Sequence, residues 1–338
     1  MISASTLAQL SDNFVYSSIA VYVLAMLLYA AVSARRSAIS PVEANAGERN
    51  AVAMAAAPSA GPRALPDEGA QAVGSVVREP QVYSSEEARE GGDRLAAVAC
   101  ALTVVGFGLH VSAIVVRGLA AQRAPWGNMY EFALVATLAA VGAFLVWLRG
   151  RPTVRALGVW LLALVVLTLG LAVTVLYTPA GALVPVLNTY WLVIHVAAAM
   201  IAGGVFTVSF VATVLYRVAL RGERRRTGGR GSRLPTPEAL HKVVHSTVLF
   251  AFPVWTFAVI AGAIWAENSW GRYWGWDPKE TWAFITWVLY AAFLHAEATA
   301  GWRGRKASWF SVLGYAAFIF NFVGVNIWIP GLHSYAGL

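Results

Sequence analysis

Charge is scarce in this chain. Only 12% of its 338 residues are charged, about half the share usual in a soluble domain. A chain so poor in charge lacks the surface to dissolve as a globule in water. Lysine is scarcer still, because arginine supplies nearly all of the 25 basic residues. There is one cysteine, Cys100. It allows neither an internal disulfide nor a CxxC pair, which excludes thiol–disulfide transport and cysteine-based metal sites. No Ser-His-Asp set, catalytic carboxylate pair or phosphate-binding loop stands out, so the chain shows no independent catalytic constellation. What is abundant is apolar: 58% of residues are hydrophobic. In such a chain the net charge of +8 reads as an orientation signal and not as a nucleic-acid footprint.

A membrane-crossing helix needs roughly 20 apolar residues. Eight stretches qualify, near 14–34, 95–116, 128–148, 154–177, 190–216, 241–265, 281–300 and 307–329. The expected fold is therefore an all-α integral membrane protein of about eight transmembrane helices. The first stretch (1–34) reads as a retained helix, with a signal anchor as the alternative. Residues 35–93 hold nine of the seventeen acidic residues and are rich in Ala, Glu, Pro, Gly and Ser. They read as a disordered cytoplasmic linker. Residues 94–338 form the main membrane domain. Arginines crowd alternate connections: Arg35 and Arg36, then Arg149 to Arg155, Arg217 to Arg233, and Arg303 with Arg305. The other connections hold only Arg117, Arg123, Arg272 and Lys279. By the positive-inside rule both termini and the loop after the sixth span face away from the cytoplasm.

That loop carries the densest signal. Trp265, Trp270, Trp274, Trp276 and Trp282, five of fourteen tryptophans, fall within residues 265–282. One reading is an interfacial aromatic belt. The other is a platform for a flat ligand: indoles offer broad apolar faces, and the intervening glycines let the backbone bend and approach closely. Asp277-Pro278-Lys279-Glu280 also reads as a helix start, with Asp277 the N-cap, Pro278 the first helical residue and Glu280 completing a capping box. Arg272 and Lys279 offer positive charge beside the platform.

Taken together, several segments resemble the tryptophan-rich ("WWD") haem-handling proteins of cytochrome c maturation, in particular the CcsA/ResC type of system II synthetase subunit. They are Pro125-Trp-Gly-Asn128-Met-Tyr130-Glu131-Phe, Asn188-Thr-Tyr190-Trp191-Leu-Val-Ile-His195, the run from Gly262 to His295, and Gly331-Leu-His333-Ser-Tyr335. The resemblance covers roughly residues 95–338. It implies a plasma (inner) membrane location, haem b as bound substrate, a CcsB/ResB-type membrane partner and apocytochrome c as client. It also implies that His195 and His333 ligate haem iron beside the tryptophan loop, and that His295 serves a second haem position inside the membrane, its other ligand coming from the partner. Trp265, Trp270, Trp274, Trp276, Asp277, Arg272 and Lys279 are expected around the haem. The synthetase label attaches to the complex rather than to this chain.

Topology supports the convergence independently. His195 opens the fifth span and His333 follows the eighth, so both fall at the membrane face of the tryptophan loop. His295 lies about fourteen residues into the seventh span, roughly 20 Å deeper. Glu297 beside it reads as a solvated anchor. His110 reads as a buried, hydrogen-bonded histidine. His241 and His245 share a helix face and read as a polar helix start or as an entrance that loads haem toward His295. Two rival functions remain at this point: a haem exporter serving a separate chaperone, and a dihaem electron-transfer subunit.

Overall fold

In the computed structural model, residues 3–55, 82–150, 152–181, 189–225 and 234–332 are described. Their regular structure is all helix, with no strand among them. In order they are α1 (Ala4–Ala55), α2 (Val82–Ala121), α3 (Met129–Gly150), a 3-10 turn (Pro152–Leu157), α4 (Gly158–Thr174), α5 (Tyr190–Arg225), α6 (Pro237–Trp270), α7 (Pro278–Ala298), α8 (Ala307–Ile319), a π-turn (Phe320–Gly324) and α9 (Val325–Trp328). Helix is what an apolar chain must form in lipid, where each backbone polar group needs a partner within its own segment.

Among the described residues, seven helices are long and apolar enough to cross a membrane. The seventh expected span, α7, forms as a 21-residue helix but is not one of those seven. Lys279, Glu280, Glu297 and His295 near its ends lower its apolar character. It is nevertheless packed between α6 and α8.

Of the segment 35–93, residues up to Ala55 continue α1 and those from Val82 belong to α2. Alanine-rich sequence propagates a helix already nucleated in an adjoining span. Residues 56–81 lie outside the described residues.

Side-chain contacts sort the connections into two ends. At one end, Asp12 of α1 accepts a hydrogen bond from Tyr177 after α4 (2.9 Å), Arg117 of α2 pairs with Glu131 of α3 (3.1 Å), and Asn326 of α9 reaches Met129 of α3. At the other end, Arg217 of α5 donates to Ser308 of α8 (2.7 Å), and His241 of α6 meets Glu297 of α7. Chain direction therefore alternates as the arginine pattern requires.

Between the ends lies an aromatic and aliphatic core. Phe206 of α5 stacks on Tyr290 of α7 with ring centroids 3.8 Å apart, and Trp255 and Phe318 close around Phe206 edge-on. α5 presses against α3 at Gly204, where an added Cβ would stand 2.5 Å from the Ala139 backbone. Further out, His110 is fully buried in α2 and lies 3.4 Å from the Tyr22 hydroxyl of α1, as read for it from sequence.

Candidate functional site: a tryptophan-lined cavity

The loop after α6 is shaped by local chemistry. α6 ends at Gly271, which adopts the left-handed conformation (φ 69°) that a side chain resists. α7 begins with the capping box read from sequence. Asp277 Oδ2 accepts from the Lys279 backbone N–H (3.3 Å), and Glu280 Oε2 accepts from Asp277 N–H (3.1 Å) and Gly275 N–H (2.8 Å). These bonds close the connector into a tight strap.

Beneath the strap lies a cavity of about 1030 Å³, including its open mouth. Its walls come from α5, α6, the strap, the start of α7, the π-turn and α9. Leu192, Val196, Met200 and Trp265 form a buried apolar cluster against which Trp126, Phe132, Trp270 and Phe322 pack.

His195 enters this cavity from α5. Its Nδ1 lies 2.8 Å from the Ala258 carbonyl of α6. A carbonyl only accepts, so Nδ1 carries the proton and Nε2 is the basic nitrogen of the ring. Such a backbone bond also fixes ring orientation, as it does for metal-binding histidines generally. Gly262 makes the approach possible: a Cβ there would stand 2.7 Å from both His195 Cε1 and Nδ1. Trp265 stacks over the imidazole at 5.9 Å and 25°, and Trp270 packs on Trp265 at 5.4 Å.

The sequence-read residues divide as follows. His195, Trp265, Trp270, Trp274 and Lys279 line the cavity. Trp276 does not. It is 64% exposed, holds a left-handed backbone (φ 58°) rare for a bulky residue, and packs edge-on against Trp274 and Phe284. Arg272 folds its guanidinium over Gly275, into the space a side chain there would occupy, and is not a wall residue. Asp277 is buried behind the strap, where Oδ1 accepts from the Leu332 backbone N–H (2.9 Å). His333 lies outside the described residues, one position past that bond. His295 sits in the last turn of α7, at the opposite end of the bundle, with its side chain exposed. About 25 Å of helix separates it from the strap.

Residues not singled out from sequence complete one wall: Asn321, Phe322 and Asn326, with Glu280 of the capping box. Lys279 Nζ donates to the Asn321 carbonyl (2.8 Å). Two asparagines five residues apart point about 140° apart around an α-helix. The widened π-turn at Phe320–Gly324 changes that angle, and both face the cavity. The available signal was two polar residues inside an apolar span, which default to a functional reading.

At the opposite end Glu297 corrects its expected role as a solvated anchor. It is 8% exposed. His241 Nε2 lies 2.9 Å from its Oε2, the Gly304 backbone N–H donates to Oε1 (3.0 Å), and Arg303 lies 3.8 Å away. His241 also packs against Tyr216 at 5.7 Å. Among the described residues no group of three or more His, Cys, Asp or Glu is placed to hold a bare metal ion. A single imidazole in a tryptophan-lined slot suits a metal already held within a flat macrocycle.

The family model described as "Cytochrome C assembly protein" matches residues 126–333. The chain is 31% identical over 269 residues to the cytochrome c biogenesis protein CcsA of Synechococcus elongatus, covering 65% of this chain and 81% of that one. It is 34% identical over 175 residues to CcsA of Guillardia theta, covering 47% of this chain and 58% of that protein. With CcsA of Porphyra purpurea it shares 28% identity over 286 residues, 73% of this chain and 89% of that one. Among solved structures, the cytochrome c haem lyase CcmF superposes with a TM-score of 0.60 over 95% of this chain at 17% identity, a likeness of fold. The chain spans about half of CcmF and less than two thirds of the Guillardia theta relative.

Proposed function

Because this chain belongs to the cytochrome c assembly protein family, we propose that it serves cytochrome c biogenesis: its tryptophan-lined cavity holds haem and presents it, on the non-cytoplasmic side of the plasma membrane, for attachment to the CxxCH motif of apocytochrome c. The observation that carries this reading is His195. Its Nδ1 lies 2.8 Å from the Ala258 carbonyl and its ring is stacked on Trp265 in the cavity wall, an arrangement that supports Nε2 as the ligating nitrogen.

In this reading His195 supplies one axial ligand and His333 the other. Asp277, through Leu332, brings the chain that carries His333 against the strap. Trp265, Trp270 and Trp274 cover the ring and keep water away from it. Ligation on both faces limits oxygen access and so protects ferrous iron until the apocytochrome histidine displaces one ligand. The addition of cysteine thiols to vinyl groups is chemistry of haem and client; the protein contributes orientation and redox control.

His295 gives this chain half of a second, inner position. Its exposure on the outer side of α7 suits completion by a histidine from a CcsB/ResB-type partner. Haem held there would enter from the arginine-rich face and pass to the cavity at the opposite end.

The test is the absorption spectrum of the purified protein, alone and with its ResB-type partner, beside a His195→Ala/His333→Ala double variant. A bis-histidine haem spectrum lost in the double variant is expected. An unchanged spectrum would place the haem elsewhere and remove both proposed ligands.

A further inference from the structure

Four cations meet at the end of the bundle away from the cavity. Arg217 and Arg221 lie one turn apart on one face of α5, and Arg305 and Lys306 lie in the turn before α8. Arg221 and Arg305 act on Arg217 as like charges. Among the described residues no carboxylate lies within ion-pair distance of any of the four. Glu297, the acid that faces this turn, is taken by His241, the Gly304 N–H and Arg303. Crowded charges of one sign repel one another, and a bound anion would relieve that repulsion.

Orientation in a membrane needs only the number of arginines in a connection, not their geometry, yet Arg217 is held in a defined one. Its Nη1 donates to Ser308 Oγ (2.7 Å) and to the Arg305 carbonyl (3.4 Å). Its guanidinium lies over the Trp309 ring, 3.7 Å from the centroid. One nitrogen and one face are thus committed. A guanidinium carries five donors, and the Nε–Nη2 edge, a fork that fits two phosphate oxygens, makes no hydrogen bond among the described residues. Depth places this fork among lipid headgroups. From Tyr190 to Arg217, α5 runs about 40 Å at 1.5 Å per residue, the thickness of a bilayer with its headgroups. Trp302 and Trp309 are exposed there, as tryptophans at a lipid interface are, and Lys306 lies 5.3 Å over the Trp302 ring.

We infer that Arg217, with Arg221, Arg305 and Lys306 around it, forms a binding site for the phosphate of an anionic phospholipid headgroup. Arg217 grips two phosphate oxygens through Nε and Nη2, while Ser308 and Trp309 hold the guanidinium in place. The three other cations favour a headgroup of net negative charge over a zwitterionic one. The acyl chains run beside Val214 and Leu313, exposed apolar residues one turn further into the bilayer from Arg217 and Trp309. The bound lipid thereby bridges α5 and α8, and its binding does not depend on haem.

The experiment titrates the purified full-length protein, in uncharged detergent, with phosphatidylglycerol or phosphatidylcholine and counts retained lipid by native mass spectrometry. The wild-type protein should hold phosphatidylglycerol about tenfold more tightly, the scale of one hydrogen bond to a charged group. Arg217→Gln should remove that preference with helical content unchanged. Arg217→Lys keeps the charge but not the fork; it should remove most of the preference and controls for folding. Arg149→Gln, at an exposed arginine of the same end, should leave the preference intact. Equal retention of the two lipids by the wild type, a preference that survives Arg217→Gln or is fully kept by Arg217→Lys, or an equal loss in Arg149→Gln overturns the site in favour of diffuse charge. Displacement of the lipid by inorganic phosphate would make the ligand a free anion and overturn the lipid assignment.

Discussion

Asp277 Oδ1 accepts a hydrogen bond from the backbone N–H of Leu332 at 2.9 Å, across 55 residues of sequence. The same carboxylate caps α7 through Oδ2. One buried side chain therefore fixes the start of α7 and the end of the last helical segment together. Gly331 permits this closeness, since a Cβ there would stand 2.8 Å from Asp277 Oδ1.

Asp277→Ala should cost about 1 kcal/mol through the lost cap and should also release Leu332. Asp277→Asn keeps an acceptor and a good N-cap residue. Haem coordination by the outer pair should fall in the alanine variant and largely persist in the asparagine variant. Absorption spectra of the two, with hydrogen exchange at residues 328–332, check this. Equal loss in both would mean that the charge of Asp277, and not its hydrogen bonds, is what matters.

Gly262→Ala places a methyl group 2.7 Å from the His195 ring. The imidazole must move off Ala258, an overpacking change that costs about 1–3 kcal/mol. Haem content of the purified protein should drop while the helical circular dichroism signal stays. A variant that retains full haem content and spectrum would show that the His195 ring position is not critical.

Glu131 is fully buried and accepts from Arg117 (3.1 Å), Arg123 (2.8 Å) and the Gly127 backbone N–H (2.8 Å). Glu131→Ala strands two guanidinium groups and should destabilise the protein by about 3–5 kcal/mol. Glu131→Gln should cost less, since it keeps an acceptor. Thermal melting in detergent measures both, and a neutral Glu131→Ala would be incompatible with the network.

His241→Ala removes one partner of the buried Glu297 carboxylate and should cost about 1–3 kcal/mol. The cavity is at the other end of the bundle, so its haem spectrum should not change. The double variant His241→Ala/His245→Ala separates stability from haem loading. A fall in haem held at His295, with melting like the single variant, would assign the pair to loading; unchanged occupancy would leave it a structural role.

Much of this molecule is local and was readable from the chain. Apolar runs fix the helices because lipid offers the backbone no other partner. The Asp277-Pro278-Lys279-Glu280 capping box depends on four neighbouring residues and formed as read. The burial of His110 and the alternation of helix direction also followed from pattern. Side-chain direction at a distance did not. Lys279 and Arg272 looked equivalent in sequence; only packing turned one into the cavity and folded the other over Gly275. Trp276 and Trp274 are two residues apart, but the left-handed backbone at Trp276 sends its ring outward. Asn321 and Asn326 share a wall only because of a π-turn, and the His195 tautomer depends on a carbonyl 63 residues away. Sequence by itself determined which segments are helices and, at the capping box of α7, where one starts, since period and caps act over a few residues. The tertiary structure alone decided which side chains meet, because that depends on how helices distant in sequence pack.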